Sequence, residues 1–215
     1  MTPAALGSLV LLNLVGAASP GPDVILITRQ ATRSRRHALA TILGIHIGVL
    51  MWVSITVLGA AALLTAFPQA VDLVQIIGGA WLVWMGQNLL RGGLRDRNNP
   101  PADIAESVAR LGTLGQSFRK GLATNLANPK IVLFLAALVA PALPPNPSPL
   151  TAVTVILTLS ASSFVLFSVM ATLVSTNAVR TRLLRLGWLI DALAGAFFII
   201  AGCVLVVRGI LGLVG

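Results

Sequence analysis

Residues 150–175 read LTAVTVILTLSASSFVLFSVMATLVS, a run of 26 residues without a charged side chain. About 20 mainly apolar helical residues cross the roughly 30 Å hydrocarbon core of a bilayer. This stretch is long enough to do so. Its apolar residues run on without the every-second-residue alternation of a membrane barrel strand. Five more segments have the same character: 4–28, 39–64, 70–90, 119–143 and 188–212. The chain therefore reads as an all-α polytopic membrane protein with about six transmembrane helices. Composition agrees, since 56% of the 215 residues are hydrophobic, 10% are charged and the mean hydropathy is +0.92. A soluble domain carries about 25% charged residues. No Lys or Arg precedes Arg29, so the first segment lacks the basic start of a secretory signal and is expected to persist as a span.

The net charge of +9 sits in few places. Thirteen of the fifteen Lys and Arg residues lie in connections 29–38, 91–118 (with Arg119 and Lys120 at its edge) and 176–187. The positive-inside rule puts these three connections in the cytoplasm and both termini outside. Basic residues are not interleaved with aromatic ones, so the charge reads as an orientation signal and excludes a nucleic-acid partner. The polar stretch 91–118 reads as a cytoplasmic linker with a short surface helix around 102–110. It divides a single membrane domain, 1–215, into halves of about 1–90 and 119–215. The Pro-rich stretch 141–149 reads as a stiff external link.

With three spans each, the halves enter the membrane from opposite sides, and the sequence carries a faint repeat to match. Gly79-Ala80-Trp81 is followed by Gly86 and Arg91; Gly195-Ala196-Phe197 is followed by Gly202 and Arg208. Asn13-Leu14 precedes Ser19-Pro20-Gly21-Pro22-Asp23, and Asn125-Leu126 precedes Asn128-Pro129-Lys130. The expected architecture is two inverted three-helix repeats, which place a substrate site near the bilayer midplane on broken helices.

Spans one and four carry the breaks. Pro20, Pro22 and Pro129 each lack an N–H and free a carbonyl one turn earlier. In lipid such carbonyls need a helix, water or a ligand as partner. Gly21 permits close backbone approach. Asp23 and Lys130 are charges at hydrocarbon depth, each costing about 2.5–3.5 kcal/mol, and so face a cavity or each other. Asp23 for an ammonium group, with Lys130 and a helix N-terminus for a carboxylate, would suit a zwitterion. A structural Asp23–Lys130 ion pair is the plain alternative.

The pattern Ser19-Pro20-Gly21-Pro22-Asp23, together with Gly121, Asn125 and Asn128-Pro129-Lys130, resembles the lysine-exporter and homoserine/threonine-efflux family of amino-acid exporters. The resemblance covers essentially the whole chain. It implies a secondary transporter that exports amino acids from the cytoplasm of a bacterium across its inner membrane, in exchange for protons. Ser19, Pro20, Gly21, Pro22, Asp23, Asn125, Asn128, Pro129 and Lys130 are the candidate transport site. A carrier or channel for another small solute or ion, or a non-transporting scaffold, is the rival reading.

His46 and Asp191 are candidate proton-relay groups. For His46 the bland role is a neutral ring bonded to a neighbour; for Asp191 it is a salt bridge near the inner end of span six. Gly44 and Gly48 form a G-x-x-x-G, a close helix contact within the chain or between two copies in a homodimer. The sequence has no HExxH, CxxC, GxSxG or P-loop, and so offers neither an enzyme site nor a cofactor motif.

Overall fold

The computed structural model describes residues 2–19, 21–60, 68–99, 104–135, 147–176 and 186–214. The described chain is helical: α1 (Pro3–Ala18), α2 (Pro22–Arg33), α3 (Arg35–Ile55, running on as a π-helical turn Thr56–Ala60), α4 (Pro68–Asn98), α5 (Ile104–Ala109), α6 (Leu114–Leu126), α7 (Pro129–Phe134), α8 (Pro149–Val174) and α9 (Gly187–Val214). The expected surface helix at 102–110 is α5. Pro20, most of the Pro-rich link and most of connection 176–187 lie outside the described residues.

Local chemistry sets the helix starts. Thr2, Ser34, Thr113 and Ser148 each accept a backbone N–H with the side chain at a helix N-cap. Pro22, Pro129 and Pro149 occupy first-turn positions, where the missing N–H costs nothing. Ser19 and Asn128 each precede a proline, which pushes them to extended backbone, and there α1 and α6 stop. The axes of α1 and α2 differ by 64°.

Among the described residues, α3, α8 and α9 are each long and apolar enough to cross a membrane, and α1 with α2 passes the same test as a bent pair. Only 28% of the most apolar window of α8 is buried, and Leu157, Val165, Val169 and Leu173 are more than half exposed. A helix apolar all round yet this uncovered has lipid for its solvent. The protein is an α-helical, multi-pass membrane protein.

Packing falls into two clusters. One joins α1, α2, α3, α7 and α8 around Ile27, Ile45, Val53, Leu135 and Leu159. The other is Leu82, Met85 and Leu89 of α4 with Ala194 and Phe198 of α9. Helices α4 and α9 run antiparallel and meet through glycines seven residues apart: Gly79 lies against Gly202, Gly86 against Gly195, and Gly93 against the Trp188 carbonyl. A Cβ added at Gly86 would fall 2.7 Å from the Gly195 oxygen. The Gly44–Gly48 face is used within the chain: Gly44 packs on the backbone of Phe118 and Gly48 on the side chain of Asn125, both in α6.

Candidate functional site

The two helix breaks face each other. Each consists of an extended residue, a proline that opens the next helix, and then a charged side chain: Gly21-Pro22-Asp23 and Asn128-Pro129-Lys130. Asn125 Nδ2 donates to Asp23 Oδ2 at 2.9 Å, and Asn128 Nδ2 donates to the same oxygen at 3.2 Å. Asn125 is fully buried, and only a glycine at position 48 leaves it room, since a Cβ there would fall 3.0 Å from Asn125 Cγ. The other carboxylate oxygen, Asp23 Oδ1, is buried and has no hydrogen-bond partner.

Lys130 behaves otherwise than a simple partner for Asp23. Its Nζ donates to the Ser19 carbonyl at 2.7 Å, one of the acceptors left over where α1 ends. Among the described residues no ion pair joins Lys130 to Asp23 within 4 Å. The lysine thus ties the α6–α7 break to the α1–α2 break. Asn128 also caps α7, its Oδ1 accepting from the Lys130 backbone N–H at 3.1 Å.

A cavity of about 50 Å³ lies between the breaks. By volume it holds a few water molecules. Asn13, Gly21, Asp23, Asn128, Lys130 and Ser163 line its polar side; Val24, Val49, Val53, Phe134 and Phe167 line its apolar side. Of the residues expected from sequence, Ser19, Gly21, Pro22, Asp23, Asn125, Asn128, Pro129 and Lys130 lie together here, and Pro20 lies outside the described residues.

Two polar wall residues lacked a sequence-based assignment. Asn13 donates to the Leu159 carbonyl at 2.9 Å and to Ser162 Oγ at 3.0 Å, pinning α1 to α8. Ser163 sits in a span with no charge at all; the cluster Ser160, Ser162, Ser163 was the available signal. His46 reaches this wall. Its Nδ1 lies 2.8 Å from the Ile42 carbonyl, which accepts and so fixes the proton on Nδ1, and its Nε2 lies 3.3 Å from Ser163 Oγ. The ring packs edge-on against Phe164 and Phe167.

Asp191 stands elsewhere, with Arg29 and Arg33. Arg29 grips it through Nε at 2.7 Å and Nη2 at 2.9 Å, and Arg33 Nη2 lies 2.6 Å away. All three are buried. Arg29 and Arg33 therefore do more than mark a solvated inner surface, because each finds a carboxylate far along the chain.

A family model for LysE type translocators matches residues 14–209. The threonine efflux protein of Escherichia coli K12 is 32% identical over 193 residues, covering 89% of this chain and 92% of its own. That of Salmonella typhimurium is 30% identical over 196 residues, with the same coverage. An uncharacterized membrane protein of Haemophilus influenzae is 28% identical over 204 residues, 94% of this chain and 96% of its own. No solved structure matches. With nine-tenths of its length matched, the chain belongs to the LysE type translocators, a family of transporters rather than enzymes.

Proposed function

We propose that this chain is a secondary exporter of small amino acids, threonine among them, in the inner membrane of a bacterium, and that the cavity between the helix breaks is its substrate site. One observation carries the reading: Asp23 is fixed by two asparagine amides through one oxygen and keeps the other, buried and unpartnered, in the wall of a cavity that Lys130 also lines. A buried acceptor without a donor is costly, and a substrate ammonium group would satisfy it. Lys130 would then leave Ser19 for the substrate carboxylate, with valines and phenylalanines around a short side chain. Because the cavity holds only a few waters here, an amino acid requires it to widen.

The wider arrangement in this reading is six spans in two inverted halves. The reciprocal glycine contacts of α4 with α9 support it, and so do the matching Pro-charge breaks. Both termini lie outside, and 29–38, 91–118 and 176–187 lie in the cytoplasm. A cysteine at the exposed position Asn98 is then expected to label only from the cytoplasm, and one at Pro147 only from outside. Labelling of position 98 from outside would overturn the orientation. Proton coupling belongs to the same proposal. His46 is the better placed of the two relay candidates, since it touches the cavity wall through Ser163 while Asp191 is committed to two arginines.

The test is purified protein in liposomes loaded with labelled threonine, homoserine, lysine or leucine, with and without a pH gradient. Threonine efflux well above protein-free liposomes, accelerated by an opposing proton gradient, is expected. If none of the four leaves faster than from empty liposomes, the reading fails.

A further inference from the structure

Helix α2 carries one more feature on the side of Asp23 and an ion cluster on the neighbouring face. Gln30 lies seven residues on, nearly two full turns, so it shares Asp23's face about 10 Å further along the helix. It is wholly buried, and neither its amide nitrogen nor its amide oxygen has a partner. Buried amides are normally paired, so an unsatisfied glutamine at the end of α2 marks a place that is polar but closed. Beside it lies the ion cluster, with Arg29 and Arg33 about 100° and 60° round the helix from Gln30. Arg29 and Arg33 of α2 hold Asp191 of α9, and Arg33 Nη2 also lies 3.4 Å from Asp96 of α4. Arg110, at the end of α5, binds Asp96 at 2.6 Å and Glu106 at 2.6 Å.

Besides this cluster, the α4–α9 pair rests on the α6–α7 break, where Gly78 lies against the Ala127 backbone and Thr124 Oγ1 donates to Met85 Sδ at 3.6 Å. The glycine contacts bind α4 and α9 tightly to each other, and their apolar cluster meets α2 through Ile25. At the cytoplasmic end the link between that pair and α2 is ionic. Ion pairs differ from packed side chains in one respect that matters here. Water and a charged solute can take them over one by one, so such a contact opens and recloses without leaving apolar surface bare.

We propose that Arg29, Arg33, Asp96 and Asp191 form a cytoplasmic latch, closed in this structure, that bars a substrate path running along α2 past Gln30 to Asp23. The path's end point rests on the transport site proposed above, whereas the latch does not depend on which solute is carried. Opening the latch lets the α4–α9 pair part from α2 and exposes Gln30 as the polar way station between cytoplasm and cavity.

The test reads solvent access, with no substrate present. In the full chain with Cys203→Ser, Gln30→Cys is introduced and its reaction with a small charged methanethiosulfonate reagent is timed in inverted and in right-side-out vesicles. With the latch intact, the reaction is expected to be slow from both faces. Asp191→Asn is expected to speed it about tenfold or more from the cytoplasmic face alone, since a weakened pair shifts the closed–open balance. Asp96→Asn should act in the same direction, more weakly, and it carries the test if the Asp191 variant fails to reach the membrane. Glu106→Gln, at the exposed rim, should change the rate little. An unchanged rate in the membrane-inserted Asp96→Asn variant overturns the latch. So does a rise equal from both faces, which would mean loosened structure instead of a gate. If the liposome assay finds no amino-acid efflux while these rates behave as expected, the latch stands and the substrate reading falls.

Discussion

Asp23→Asn is expected to reach the membrane in parental amounts and to lose most amino-acid export. The two halves of that expectation have separate causes. Asparagine has the shape of aspartate, and its oxygen still accepts from Asn125 and Asn128, the two bonds the structure gives Asp23. Removing a charge from hydrocarbon depth also relieves a desolvation cost, so the fold gains at least as much as it loses. Transport depends on the oxygen that has no partner. In the variant that position holds either a neutral acceptor or an NH2 group aimed at the substrate ammonium. A hydrogen bond to a charged group is worth about 1.5–3 kcal/mol, so the loss is about ten- to hundredfold in export rate at subsaturating substrate. Lys130→Gln should lose export as well and reach the membrane in smaller amounts, because Lys130 also satisfies the Ser19 carbonyl. The measurement is efflux of labelled threonine from liposomes, normalised to inserted protein. Parental export by Asp23→Asn would remove the carboxylate from the site.

Much of this site could be read from the chain because its parts are local signals. A proline inside an apolar run kinks or breaks a helix, and Pro22 and Pro129 both open new ones. Asp23 and Lys130 stood out as charges in apolar spans, Asn125 and Asn128 as parts of the repeated motif, and the structure gathers them. The partner of each atom was not legible. Asp23 and Lys130 invite pairing by charge, yet Lys130 goes to a backbone carbonyl because the end of α1 leaves one needing a donor. Arg29 and Arg33 looked like solvated markers of the inner surface. They are buried because Asp191 and Asp96, 158 and 63 residues from Arg33, come to them, and no local pattern encodes a pairing over such separations. The glycines of spans three and six were visible as a repeat, but that they face one another is a fact of tertiary packing. His46 with Gly44 and Gly48 shows the same limit: the motif announced a close contact, and only the fold chose α6 over a second copy.

Gly86→Leu is expected to deplete the protein from the membrane almost entirely, whereas Gly92→Leu, six residues further along α4 and facing open space, should accumulate normally. A Cβ at Gly86 meets the Gly195 oxygen at 2.7 Å, the Ile199 nitrogen at 2.8 Å and Ile199 Cγ1 at 2.9 Å; at Gly92 nothing lies within 4 Å. The first two obstacles are backbone atoms of a facing helix, which cannot rotate aside. Relief requires α4 and α9 to separate along their length. The cost therefore lies at or beyond the upper end of the about 1–3 kcal/mol typical of overpacking. In lipid, where close packing rather than burial from water holds helices together, little remains to offset it. Gly202 offers a reciprocal test. A Cβ there meets the Gly79 oxygen at 2.5 Å, Val83 Cγ2 at 2.8 Å and the Val83 nitrogen at 2.9 Å, the same kinds of atom. If the halves are inverted copies, Gly86 and Gly202 are equivalent positions, and Gly202→Leu should lower membrane abundance and the detergent melting temperature as far as Gly86→Leu does. Parental abundance of Gly86→Leu would disprove the close contact, and a large inequality between the two variants would count against the proposal that the halves are inverted copies.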